Sequence, residues 1–308
     1  MQITPQSLLA LRTAINMALD KGRGMATPIW SKFATKVTSA TKYTNFPIHS
    51  ATKKLRRWDG ERKVVNGKAY DYQVTPERFE LTLGIPLQEI EDDQIGSWQS
   101  MLMDMGVQIE LWPDDLFIAA LLAGATDLCF DGLAFFSDSH ALKSGATIDN
   151  LFASTSLTKA NAAAVMAEMK GWVGEDGRSL RVRPDKLVVP PALEDTGLEI
   201  VGSNILAQVF GSNTAAAGIS NTMQGRLTLE VLPELSADAG GSDTTWYMMD
   251  TTKPTKPFVF VERQAPKVVF KNQDNDDNVF WDDEVNAGVR ARGAAGYGPF
   301  WLASKCTA

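Results

Sequence analysis

The sequence predicts an α+β fold in which a long helix and an extended polar ribbon come before a series of short strands. Three observations carry this. Apolar residues at Ile95, Trp98, Leu102, Met105, Ile109, Trp112 and Leu116 alternate gaps of three and four, one continuous stripe on a helix. Asn66-Gly67, flanked by polar and β-branched residues, is a strong short-range hairpin signal because both positions tolerate positive φ. Short apolar runs at 227–232, 245–249 and 258–262 read as strands.

Taken in order, residues 5–21 form an amphipathic helix: Pro5 precedes Leu8, Leu11, Ile15 and Leu19, and Gly22 and Gly24 stop it. Residues 25–50, rich in Thr, Ser, Lys and Pro, have no period and read as an extended arm with few partners in its own domain. The ribbon spans 53–85, and its return strand alternates through Phe79, Leu81, Leu83 and Ile85. An isolated two-stranded ribbon is marginal in water and needs a neighbour to dock on.

The stretch Glu89–Gly124 organises the chain, and at ~1.5 Å per residue it is a rod of roughly 50 Å. Pro113 cannot donate to the carbonyl of Ile109, so it should end or kink the first helix. Asp114 and Asp115 would then open a second segment, where acids favour a helix N-terminus. Farther on, 157–172 is a helix capped by Thr158, and 186–202 is a buried strand followed by a helix opened at Pro190-Pro191. Residues 203–222 are small and polar, which signals a loop. An acidic cluster runs from Asp274 to Glu284, and the Gly-punctuated tail ends in a short aromatic strand.

A chain of 308 residues, 44% hydrophobic and 22% charged, has a globular composition and can bury a large core. Its first residues lack the basic start and apolar run of a secretory signal, and its most apolar segment, 116–125, is too short to span a membrane. Two cysteines give no disulfide framework and no metal spacing. Net charge is -7, but it is unevenly placed. Residues 1–70 carry thirteen Lys and Arg against three acids, a net +10; residues 71–115 carry eleven acids against Arg78, a net -10. A basic front beside an equally acidic rod suggests complementarity, within a molecule or between copies. A nucleic-acid role for the basic arm lacks aromatics and a recognition motif.

Chemistry is scarce. Asp138-Ser139-His140 sets a carboxylate, a hydroxyl and an imidazole side by side, but sequence neighbours seldom meet in triad geometry and no Gly-x-Ser-x-Gly elbow is present. A polar loop bonding its own backbone is the better account. Asp131, Asp138 and His140 make a weak metal set, and Cys129, without a partner base, reads as core. Asp92 and Asp93 point about 100° apart on a helix and suit a solvated surface rather than a shared substrate. No phosphate loop is present, and no cofactor is expected.

Several segments together, in order and at matching spacing, resemble the major head subunit family of Mu-like phages and prophages. They are Trp58–Lys63 (WDGERK), Phe79–Gly96 (FELTLGIPLQEIEDDQIG), the helix ending WPDDLFIAALLAG, the following CFDGLAFFSDSH and the closing GVRARGAAGYGPFW. The resemblance implies a Hong Kong 97-like capsid fold. The arm would be 1–45, the extended hairpin loop 46–85, and the peripheral domain 86–180 with its spine helix at 88–124. The axial domain would be 181–255, with return strands of the peripheral domain at 256–308. It implies a non-catalytic subunit of the icosahedral head, found in the virion and assembled in the host cytoplasm. Expected partners are itself, as hexameric and pentameric capsomers, a scaffolding protein, a portal, a decoration protein, and packaged DNA held without sequence specificity; no membrane partner is expected.

The charge asymmetry suggests the contact. Lys53, Lys54, Arg56 and Arg57 of one ribbon would face Asp92, Asp93, Asp114 or Asp115 of a neighbour's spine. Two other classes compete. One is a connector or tube subunit. The other is a hydrolase using Asp138-Ser139-His140, which loss of activity on replacing Ser139 or His140 would reveal.

Overall fold

A computed structural model describes residues 5–41, 43–49, 69–91, 95–142, 147–175, 177–203, 205–210, 215–271 and 276–308. The chain begins with α1 (Pro5–Arg23), a turn of helix α2 (Trp30–Phe33), and strands β1 (Ala34–Thr38) and β2 (Thr44–His49). Strands β3 (Ala69–Val74) and β4 (Glu77–Pro86) follow, then α3 (Leu87–Glu91) and the spine α4 (Ile95–Ala123). Short strands β5 (His140–Ala141), β6 (Thr147–Ile148) and β7 (Leu151–Phe152) lead to α5 (Lys159–Gly171), β8 (Lys186–Val189) and α6 (Glu194–Gly202). The remainder is β9 (Ile205–Phe210), β10 (Ala215–Ser220), β11 (Thr228–Val231), β12 (Trp246–Met249), β13 (Phe258–Lys271), α7 (Asp277–Asp282), β14 (Glu284–Tyr297) and β15 (Ala303–Cys306).

Two sheets share the work. One has the order β1-β13-β14-β4, with β1 parallel to β13 and the other pairs antiparallel. The other has the order β11-β8-β12-β15-β7. A large core joins the second sheet, α5, the C-terminal half of α4 and the base of the first sheet, with Phe117, Phe135, Trp246, Phe258 and Phe300 fully buried. A smaller core lies at the far end of the first sheet. There Leu11, Ile15 and Leu19 of α1 meet Leu102, Met105 and Ile109 of α4 and Val285, Ala287 and Val289 of β14. The spine therefore serves one core with each half. A single core cluster also runs across the expected boundary at 180/181, since Met169, Leu187 and Trp246 belong to it together.

Several sequence expectations are revised. Pro113 does not end the spine: α4 is one helix of 29 residues with Pro113 inside it. Asp114 and Asp115 therefore do not open a new segment. Tertiary packing on both halves outweighs the one hydrogen bond that Pro113 removes. Gly22 lies inside α1, and its missing side chain serves packing, because a Cβ there would fall 2.0 Å from the Met103 carbonyl oxygen.

Residues 25–38 are not an unpartnered arm. Phe33 is fully buried, stacked on Phe117 with ring centroids 5.0 Å apart, and β1 pairs residue for residue with β13. The return strand of the ribbon divides into two. β3 pairs with β2, while β4 leaves for the first sheet and pairs with β14. Asn66-Gly67 lies outside the described residues. The small polar stretch at 203–222 is a hairpin, with β9 antiparallel to β10. Small side chains do not forbid a ladder built of backbone hydrogen bonds. The strand beginning at Phe258 runs 14 residues, well past Glu262.

Candidate assembly surfaces

The base of the ribbon is fixed by close packing. Val74, Val259 and Val261 form a small cluster where the β2–β3 hairpin crosses the first sheet, with Phe46 and Tyr72 against it. Gly296 of β14 leaves room for this, since a Cβ there would meet Val74 at 2.6 Å and Tyr72 at 3.1 Å. Burial pushes the Tyr72 hydroxyl up to about 12, chiefly because a phenolate there would lose its water. The ribbon is thus anchored at its root. Lys53, Lys54, Arg56 and Arg57 lie outside the described residues, as do Asp92 and Asp93.

The other two expected contact residues are described, and they differ. Asp114 is buried at 6% exposure. Its Oδ1 accepts from the backbone N–H of Trp30 at 2.7 Å, and both its oxygens accept from that of Ile29 at 3.0 Å. An acid does sit at a helix N-terminus, as the residue type suggests, but the helix is α2, 84 residues earlier. Burial raises the Asp114 carboxyl above its ordinary range, and the two amides oppose the shift. The Asp114 carboxylate is thus engaged within its own chain. Asp115 is exposed, and burial of part of its surface, then the charge of Asp114, raises its carboxyl too. Asp104 and Gln108 lie on the same solvent face of the spine.

Asp138-Ser139-His140 does not assemble into a triad. The Ser139 hydroxyl faces that of Ser137 at 3.4 Å. The His140 ring is fully buried, stacked at 3.8 Å on Phe300, with Nδ1 2.6 Å from Asp131 and Nε2 3.2 Å from the Phe135 carbonyl oxygen. Cys129, expected to stand alone, donates its thiol to Asp131 Oδ1 at 2.9 Å. Burial, then Asp131, pushes that thiol far up. Asp131 would be raised by its burial, but hydrogen bonds from His140 and Cys129 bring it below its ordinary range. Of Asp131, Asp138 and His140, a weak metal set by sequence, the fold brings together Asp131 and His140 and adds Cys129 in place of Asp138. The missed signal was Cys129-x-Asp131-Gly132: Gly132 takes φ 84°, and its amide donates to the Cys129 carbonyl, so the turn sets both side chains on one side. No helix among the described residues is long and apolar enough to cross a membrane.

The family described as Mu-like prophage major head subunit gpT matches residues 8–155, 150–235 and 232–307. The chain belongs to this family. The major capsid protein of Escherichia phage Mu is 26% identical over 301 residues, spanning 98% of this chain and 73% of that one. The Mu-like prophage FluMu major head subunit of Haemophilus influenzae is 23% identical over 299 residues, spanning 97% and 72%. Among solved structures, a subunit of the bacteriophage JBD30 procapsid superposes with a TM-score of 0.60 at 24% identity, covering 99% of this chain and 76% of that one. The mature capsid of bacteriophage PhiM1 gives 0.56 at 11% identity, covering 92% and 87%. At such identities the structures speak for the fold alone, which is that of phage shells, as the resemblance implied. This head-subunit family is structural.

Proposed function

We propose that this chain is the shell-forming subunit of a Mu-like phage head, copies of which associate as hexamers and pentamers and close an icosahedral container around DNA. The family match over nearly the whole chain carries this reading. The two-sheet fold with a spine braced by two cores supports it, because a rigid subunit is what repeated contacts require. We assign residues 181–255 to the capsomer centre, with the β9–β10 hairpin at its tip.

The inter-subunit contact follows from charge. The ribbon of one copy, with Lys53, Lys54, Arg56 and Arg57, lies over the acidic spine of the next at Asp92, Asp93 and Asp115. Asp114 leaves that set because its carboxylate caps α2 of its own chain. Each exposed pair is worth only ~0–1 kcal/mol. Hundreds of repeats in a closed shell still make assembly cooperative and sensitive to salt. Scaffolding, portal and decoration proteins are the partners that shell assembly calls for, and the host cytoplasm is where it would take place. Packaged DNA would touch the inner wall without sequence readout.

The test is electron microscopy of the protein expressed alone and of the double reversal Arg56→Glu, Arg57→Glu. Shells or capsomers are expected from the parent, and their loss at low salt from the variant. A parent that stays monomeric at every ionic strength overturns the shell reading. Normal shells from the variant overturn only the contact.

A further inference from the structure

We propose that Cys129, Asp131 and His140 form a structural site for a zinc-like divalent metal ion, joining the turn after α4 to the start of β5. This stands apart from the shell reading and does not depend on it.

The argument is geometric. One thiol, one carboxylate and one imidazole nitrogen converge, all within 4.8 Å of one another. They come from two short pieces of chain. Cys129 and Asp131 share the tight turn at Gly132, which is closed by the Cys129 amide donating to the Leu133 carbonyl at 2.7 Å. His140 opens β5, nine residues after Asp131. A zinc ion with ligands at ~2.0–2.3 Å needs them roughly 3.3–3.8 Å apart, so a small rotation of Cys129 and Asp131 would admit it.

The surroundings are those of a ligand set. The His140 Nε2 faces the Phe135 carbonyl, which can only accept, so Nε2 keeps its hydrogen when Nδ1, turned to Asp131, exchanges its own for the ion. A ligating histidine commonly has its other nitrogen held by such a carbonyl, which fixes the tautomer and the ring. Stacking on Phe300, with ring planes 6° apart, removes the remaining freedom. The Leu133 amide donates to Asp131 Oδ1 at 3.1 Å and orients the carboxylate.

Thiolate, imidazole and carboxylate together favour zinc over calcium or magnesium, which prefer all-oxygen sites. Binding forms a sulfur–metal and a nitrogen–metal bond, and releases to solvent both the thiol proton and the Nδ1 hydrogen that faces Asp131. The Asp131 side chain, 16% exposed, leaves a path by which water could complete a fourth position. The ion would tie the Cys129–Asp131 turn to His140, whose ring stacks on Phe300 just before β15.

Cobalt(II) is the probe. Purified protein is stripped with a chelator, titrated with Co2+ and read by absorption, then back-titrated with Zn2+. One cobalt per chain is expected, with intense tetrahedral bands and a thiolate charge-transfer band, both displaced by Zn2+. Cys129→Ser should lose the charge-transfer band. Cys306→Ala should keep it, which assigns the sulfur even if the first variant fails to fold, since the sequence holds only these two cysteines. Absence of the thiolate band in the parent at saturating cobalt, or its persistence in folded Cys129→Ser, overturns the proposal and leaves a hydrogen-bonded network only.

Discussion

Gly22 and Gly106 touch where α1 crosses the spine: a Cβ on Gly106 would lie 3.0 Å from the Gly22 Cα and 2.3 Å from the Leu19 carbonyl oxygen. The contact is backbone on backbone, so no rotamer can relieve an added methyl. In an exposed helix, Gly→Ala is stabilising by about 1 kcal/mol. Here the sign should invert. Gly106→Ala should lower stability by about 1–3 kcal/mol through overpacking. Thermal unfolding measures this, and limited proteolysis should find α1 cut first. Unchanged protection of α1 would mean that the crossing is not tight.

Asp114 makes a second prediction. Asp114→Ala strips the acceptor from two amides and should cost about 1–3 kcal/mol. Asp114→Asn keeps one acceptor oxygen and should cost less. Urea midpoints of the three proteins give the order. Equal midpoints for parent and alanine variant would reduce the cap to a bystander.

Glu230 joins Lys32 at 2.7 Å and Lys186 at 2.9 Å, tying α2 to the parallel pair β8–β11. Burial would raise its carboxyl, but the two lysines outweigh burial and hold it below its ordinary range. A depressed carboxyl contributes stability that is present above its unfolded pKa, ~4.3, and fades as pH falls through the lower folded value. Glu230→Gln should therefore lose stability at pH 7 and show a shallower acid limb. Unfolding followed from pH 7 to pH 3 checks this, and parallel curves for the two proteins would contradict it.

Asn150 is fully buried, and its amide donates to the carbonyls of Phe135 at 2.8 Å, Phe300 at 3.0 Å and Ala303 at 3.2 Å. Its oxygen accepts from the Ser137 amide at 2.8 Å. Asn150→Asp should harm more than Asn150→Ala, because a carboxylate would face three carbonyl oxygens in a dry site. The yield of folded protein and its melting temperature test that order.

These sites mark what the sequence can and cannot disclose. Local signals were readable: Thr158 caps α5 as expected, its hydroxyl accepting from the Asn161 amide at 3.2 Å, and Pro190-Pro191 does open the turn before α6. The apolar stripe did locate the spine. Other pairings lay beyond such local signals because they depend on distant chain. Asp114 looked solvated because its partners lie 84 and 85 residues away. Residues 34–38 looked idle because their partner strand begins at Phe258. The Cys129 turn was visible as letters, but its third member was not, since only the fold selects His140 and rejects Asp138.

Strand β15 sits between β12 and β7, inside the second sheet rather than at its rim. Residues 303–306 are therefore a keystone of that sheet. Without them the sheet would split between β12 and β7, and the backbone of Trp246 and Met248 would lose its partners Cys306 and Ser304.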